Sequence, residues 1–200
     1  MRKKLAVLIS NTGTGTNLQA IIDGVQKKEI NASIVIVISD TKKAFGLERA
    51  KKYNLKTEIV PKKENLLMIL KRYNPDFICL AGWKQFILRK IIDAYPQKIL
   101  NLHPGLIPDT IDGSVINPDK TNAIWNKGKL TDIAIKNFFE QHATYAGSSI
   151  HFLTHEFDFG PVLGRCFEKI KPKDTINSLY SRLKIKENIL YVKVLKKLCK

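Results

Sequence analysis

Two short segments hold the side chains best suited to acyl chemistry. Asn101-Leu102-His103-Pro104 follows an apolar run, so Asn101 and His103, two apart on an extended chain, point to one side. A carboxamide beside an imidazole can donate hydrogen bonds to a developing oxyanion, and Pro104 fixes the turn that follows. A lone histidine before proline is, by itself, more often structural than catalytic. Asp158, in Glu156-Phe157-Asp158-Phe159-Gly160-Pro161, sits among aromatic rings ahead of a Gly-Pro turn. A carboxylate buried there would favour an imidazolium if the two groups meet in space. His142, His151 and His155 lack such a setting, and His151 falls inside an alternating run that reads as packed.

A third segment suits an anion. Ser10-Asn11-Thr12-Gly13-Thr14-Gly15-Thr16 links an apolar run to a stretch of helical spacing. A strand, a glycine-rich turn and a helix together aim backbone N–H groups and a helix N-terminus at a negative group. The spacing is neither GxGxxG nor GxxxxGK[ST], so a lone phosphate fits better than a dinucleotide or a nucleoside triphosphate. A tight turn that binds nothing is the plain alternative.

These segments need a scaffold that brings strand ends together. The runs at 4–9 and 34–38 are continuously apolar, as in strands buried on both faces of a parallel sheet. Further strands are expected at 57–60, 76–80 and 99–100. They alternate with helices at 17–22, capped by Thr16 or Asn17, and at 45–53, 64–73 and 85–95. This alternation predicts an α/β fold with a doubly wound, mostly parallel, Rossmann-like sheet. Residues 133–141 read as a helix, 149–153 and 161–170 as strands, and 175–198 as a long amphipathic C-terminal helix, with Asp174-Thr175 at its cap. Only 109–132 is long and without periodicity. One domain over 1–200 is expected, with halves of about 1–100 and 101–200.

The charge narrows less than it first suggests. Lys and Arg number 34 against 18 Asp and Glu, a formal +16, which suits a polyanion or a phosphorylated substrate. Yet 28 of the 34 are Lys in a chain with 25 Ile and 13 Asn. That reads as compositional background, whereas Arg is the usual reader of phosphate. No apolar run nears the ~18 residues that span a bilayer, and Met1-Arg2-Lys3-Lys4 leads into a strand without a cleavage signal, so no membrane partner and a cytoplasmic location are expected. Cys79, Cys166 and Cys199 are odd in number and widely spaced, which argues against disulfides and a metal site.

The motifs converge on a family. Leu8-Ile9-Ser10, Gly15-Thr16-Asn17-Leu18-Gln19-Ala20-Ile21, Ala44-Phe45-Gly46-Leu47-Glu48-Arg49-Ala50, Leu80-Ala81-Gly82, Asn101-Leu102-His103-Pro104, Gly147-Ser148-Ser149-Ile150-His151-Phe152 and Asp158-Phe159-Gly160-Pro161-Val162 stand in order along nearly the whole chain. In this the chain resembles the phosphoribosylglycinamide formyltransferase family (glycinamide ribonucleotide transformylases), a branch of the folate-dependent formyltransferases. The resemblance implies formyl transfer from 10-formyltetrahydrofolate to the amine of 5'-phosphoribosylglycinamide in purine biosynthesis, with no metal. It implies Asn101, His103 and Asp158 as the catalytic set. It implies Gly15, Thr16, Asn17, Lys184 and Glu187 as contacts to the phosphate and ribonucleotide. For the folate it implies Trp83, Lys84, Gln85, Phe86, Ile87, Leu100, Asn101 and Phe157. Folate and catalysis then belong to the half at about 101–200 and phosphate binding to the half at about 1–100. Small-molecule substrates, no nucleic acid, and a monomer or homodimer follow as expectations.

The chain departs from the family pattern at several places. Thr16 stands where Ser is common, Gln85 lies near a usual Arg, and Gly105-Leu106-Ile107-Pro108 replaces Ser-Leu-Leu-Pro. The stretch 109–145 is longer than usual, Ala146 stands for a usual His, and Lys62 or Lys63 lies nearest to a phosphate-holding Arg. Two alternatives stay open: a formyltransferase acting on another amine, such as a sugar nucleotide, and a basic RNA-binding α/β module using the Lys-rich C-terminal helix.

Overall fold

The computed structural model describes residues 1–10 and 14–200; Asn11, Thr12 and Gly13 of the glycine-rich turn lie outside the described residues. Two compact units emerge, Met1–Asn101 with Tyr191–Lys200, and Leu102–Leu190. Strand order is β3-β2-β1-β4-β5-β6-β7, a seven-stranded sheet that is mostly parallel.

In the first unit, β1 (Lys3–Ile9), β2 (Ala32–Ser39), β3 (Thr57–Ile59), β4 (Phe77–Leu80) and β5 (Ile99–His103, ending just past this unit) alternate with helices. The helices are α1 (Thr16–Gln26), α2 (Phe45–Lys52), α3 (Leu66–Tyr73) and α4 (Arg89–Ala94). Each neighbouring strand pair here is parallel. Leu5, Ala6, Val7 and Leu8 are wholly buried, which is why β1 reads as an unbroken apolar run. The winding reverses between β1 and β4, the place where open α/β sheets put their ligand crevice. The loops that follow these two strands carry Gly15–Asn17 and residues 83–87.

Two expectations change. No side chain caps α1; Gly15 takes that position in the left-handed region, at φ 71°, so Thr16 and Asn17 keep their polar atoms for other uses. The helix expected over 85–95 begins only at Arg89, because Leu88 is extended; Gln85 instead donates to the Pro61 carbonyl at 3.4 Å.

In the second unit, α5 (Thr131–Glu140), β6 (Tyr145–Phe152), β7 (Val162–Lys169) and most of α6 (Ile176–Leu198) pack around Ile135, Phe138, Ala146, Leu179 and Leu183. Strand β6 pairs antiparallel with β7. It starts four residues before the alternating run that reveals it, because Ala146, Gly147 and Ser148 are small where Leu106 presses on the backbone of Gly147. Thr175 and Ser178 exchange hydrogen bonds at the start of α6, a reciprocal cap of the kind expected there. The segment 109–130 has little regular structure but is tied down internally: Asn117 N–H donates to the Thr121 carbonyl at 2.8 Å and Ala123 N–H to Val115 at 2.8 Å. Among the described residues no helix is long and apolar enough to cross a membrane.

Candidate active site

Within the first unit, the end of β1 and the loop after β4 are tied by Ser10, whose hydroxyl donates to Asp40 at 2.7 Å and accepts from the Lys84 N–H at 3.0 Å. Gly15 lies so close to Gly46 that a Cβ would come within 3.1 Å of its Cα. Arg49 braces the turn: Nε donates to the Thr14 carbonyl at 3.1 Å and Nη1 to Gln19 at 3.0 Å. Thr16 Oγ1, Asn17 Oδ1 and Trp83 Nε1 are buried atoms without a hydrogen-bond partner among the described residues. Such atoms cost stability until something bonds them. Phe86 is 68% exposed, and Pro61, Lys62, Lys63, Glu64, Gln85 and Phe86 bound a cavity of about 400 Å³. Leu100 is wholly buried, so its side chain faces the core and only its backbone can meet a ligand.

Strand β5 carries Asn101, half-buried, and two residues on His103, 2% exposed. In the second unit His103 Nδ1 lies 3.6 Å from Asp158 Oδ1, so the pairing that the sequence left conditional is made. The other ring nitrogen, Nε2, sits 2.7 Å from the Trp125 carbonyl. Asp158 is held by more than the imidazole: the Gly128 N–H donates to Oδ2 at 2.8 Å, and the Trp125 indole donates to its backbone carbonyl at 3.1 Å. Burial works to raise the Asp158 carboxyl, but the hydrogen bond and charge of His103 and the Gly128 N–H outweigh it, leaving the group below its ordinary value. Phe157 beside it is half exposed.

The segment after His103 is clamped as well. Ser149 donates to the Gly105 carbonyl at 2.7 Å and accepts from the Ile107 N–H at 2.9 Å. Arg165 grips the Ile107 carbonyl with two donors, at 2.8 and 2.6 Å, and Asp109 at 2.8 Å. His151, wholly buried as expected, stands edge-on to His103 with ring centroids 6.5 Å apart. Burial first, then the charge of His103, hold it down to about 4 against the opposing pull of Asp158, so it stays neutral. Glu187 is 3% exposed and accepts the Ser148 hydroxyl at 2.6 Å. Burial pushes its carboxyl up despite that bond and the charge of Lys184. Lys184 lies over Tyr180 and donates to its hydroxyl at 2.8 Å.

The structure thus brings His103 to Asp158 in one unit and places Gly15, Thr16, Asn17 and the 83–87 loop in the other. Residue typing missed Trp125, Gly128, Ser149 and Arg165. The Trp125 carbonyl and the Gly128 N–H are backbone atoms, which leave no mark in residue identity. No group of three His, Cys, Asp or Glu that could hold a metal occurs among the described residues.

A formyl transferase family model matches residues 3–195. Over 98% of its length the chain is 33% identical to the phosphoribosylglycinamide formyltransferase of Dictyostelium discoideum, covering 98% of that protein. It is 30% identical to the chloroplastic phosphoribosylglycinamide formyltransferase of Arabidopsis thaliana, of which it covers 66%. Among solved structures, the phosphoribosylglycinamide formyltransferase of Anaplasma phagocytophilum superposes with a TM-score of 0.83 at 28% identity, over 100% of this chain and 87% of the other. The chain spans about two thirds or less of the first curated relatives it matches, down to 14% and 18% of trifunctional purine biosynthetic proteins.

Proposed function

Since this chain belongs to the formyl transferase family, we propose that it transfers the formyl group of 10-formyltetrahydrofolate to the amine of 5'-phosphoribosylglycinamide, a step of purine biosynthesis. The observation that carries this reading is the 3.6 Å approach of Asp158 to His103, two residues along one strand from Asn101. As the amine attacks the formyl carbon, negative charge builds on the formyl oxygen. The Asn101 amide and protonated His103, through the N–H that only the imidazolium has to spare, are the donors that meet it, each worth ~3 kcal/mol or a hundredfold or more in rate. Asp158 holds the imidazole in its donating form. It also helps relay the proton lost by the attacking amine towards the leaving nitrogen.

The remaining residues serve binding. Gly15, Thr16 and Asn17 hold the acceptor phosphate at the start of α1, where N–H groups and the helix dipole favour an anion, and Lys184 and Glu187 meet the ribonucleotide. The folate donor supplies the activated formyl group. The donor set suits it in one respect: Trp83 Nε1 is a buried donor without an acceptor among the described residues. The backbone around Trp83, Lys84, Gln85 and Ile87 reads the pterin edge.

The test is formyl transfer by purified protein given 10-formyltetrahydrofolate and glycinamide ribonucleotide. Wild type forms product, and Asp158→Asn lowers kcat about 10²–10⁴-fold while the fold is kept. Absence of product alongside tight folate binding redirects the acceptor to another amine, and equal rates in wild type and Asp158→Asn overturn the catalytic set.

A further inference from the structure

His103 has two ring nitrogens, and the protein treats them differently. A carbonyl oxygen can only accept, so the 2.7 Å approach of the Trp125 carbonyl requires a hydrogen on Nε2. In a neutral imidazole the other nitrogen, Nδ1, then carries the lone pair, and Nδ1 is the atom that faces Asp158.

The carbonyl is not there by accident of a loose loop. On one side of Trp125, the Ile124 carbonyl accepts the Leu106 N–H at 2.9 Å. On the other, Asn126, a buried residue, donates to the Pro104 carbonyl at 2.9 Å and to Ala134 at 3.2 Å, and accepts from Asn137 at 2.8 Å. The Trp125 indole and the Gly128 N–H both end on Asp158. The segment 124–128 therefore holds the turn after His103, the ring itself and its carboxylate partner at once.

Gly105 gives the same arrangement a sequence mark. A Cβ at 105 would lie 1.7 Å from the Trp125 oxygen and 2.9 Å from His103 Nε2. Gly105 is not among the residues with positive φ, so its backbone would suit any residue. Space for the carbonyl, rather than conformation, demands the glycine.

We propose that the Trp125 carbonyl is a positioning group that commits the Nε2–H of His103 and leaves Nδ1 as the nitrogen that gains and gives up the catalytic proton, with Gly105 as the residue that admits it. The catalytic half of this statement rests on the formyl-transfer reading; the hydrogen-bond half does not. Besides Asp158, the titratable groups around the ring are His151, edge-on and neutral, and the Lys127–Glu156 pair (3.1 Å), whose lysine lies 5.0 Å over the Trp125 ring.

Two measurements decide it. Nitrogen-15 NMR of the histidine rings in the wild-type protein without substrates, with His103 identified by its loss in His103→Gln and the pH raised until its ring is neutral, is expected to show the remaining proton on Nε2 alone. Gly105→Ala is expected to displace the carbonyl, mix the two tautomers and lower kcat about 10–100-fold, as for the loss of one strong hydrogen bond, with the KM of both substrates little changed. A neutral wild-type His103 protonated on Nδ1 overturns the proposal whether or not Gly105→Ala folds. So does a folded Gly105→Ala that keeps the wild-type tautomer, whatever its activity. Wild-type protein with the Nε2–H tautomer and no formyl transfer keeps the anchor and refutes the functional reading instead.

Discussion

In the first unit Thr16 Oγ1, Asn17 Oδ1 and Trp83 Nε1 are buried without a partner among the described residues. In the second, Asn117 Oδ1 and Asn188 Oδ1 are likewise unmet among the described residues, but these ionisable groups are not: His103 holds the Trp125 carbonyl, Asp158 holds the Gly128 N–H, and Glu187 holds the Ser148 hydroxyl. An unmet buried polar atom costs about 1–3 kcal/mol. Where such an atom borders a binding site, a ligand can remove that cost, the condition for binding. The second arranges its charged groups in advance, so that none reorganises as charge moves, the condition for catalysis. On the proposed function, the same polar chemistry serves recognition around Thr16 and Trp83 and reactivity around His103.

If that division holds, changes in the second unit show chiefly in kcat and changes in the first in KM. After Asp158→Asn, the largest effect is expected from His103→Ala, which removes the proposed oxyanion donor and lowers kcat by about a hundredfold or more, with substrate KM values and the circular dichroism spectrum near those of wild type. Near-normal turnover in purified His103→Ala breaks the comparison at its strongest point.

A prearranged cluster also has a pH limit. Unfolded, His151 takes a proton near 6.5; folded, only near 4. Between those values the unfolded chain binds more protons, so stability falls as the pH drops and rises as it is raised. About 2.5 pH units at 1.36 kcal/mol each give a loss of about 3 kcal/mol once the pH is below both values. Urea midpoints measured from pH 7 to 4 for wild type and His151→Gln check this. The difference attributable to His151 is the slope that the variant lacks, and parallel curves refute it.

Much of the scaffold was legible in residue patterns because its elements announce themselves through apolar side chains. The runs of β1 and β2 and the spacing of α6 needed no tertiary information, and neither did the Thr175 cap. Where the pattern failed, the cause was a backbone or a small residue: Gly15 replacing a side-chain cap on α1, extended Leu88 delaying α4, and Ala146, Gly147 and Ser148 hiding the first half of β6. The candidate site follows the same rule. Asn101, His103 and Asp158 stand out by type, and the last two do meet. The segment 109–132 has no periodicity to read, yet from it come the Trp125 carbonyl and the Gly128 N–H. Gly105 was visible only as a departure from the family pattern, and its meaning required knowing what lies 1.7 Å from its absent Cβ.

The smallest expected effect tests the first unit. Thr16→Val keeps the shape and β-branching of the side chain and exchanges the unpartnered hydroxyl for a methyl group, so helix propensity hardly changes. Removing a buried oxygen that bonds nothing leaves the ligand-free protein as stable as wild type, or more stable by up to about 1 kcal/mol. The same oxygen, if it meets the acceptor phosphate, is worth about tenfold in KM for the phosphorylated substrate, with kcat unchanged. Thermal unfolding without ligand and steady-state kinetics read the two halves separately. A variant less stable by more than about 1 kcal/mol means that the hydroxyl already had a partner, and the first unit would then be built like the second. A variant with unchanged KM places the phosphate on Gly15 and Asn17 and leaves Thr16 as a buried atom without a ligand.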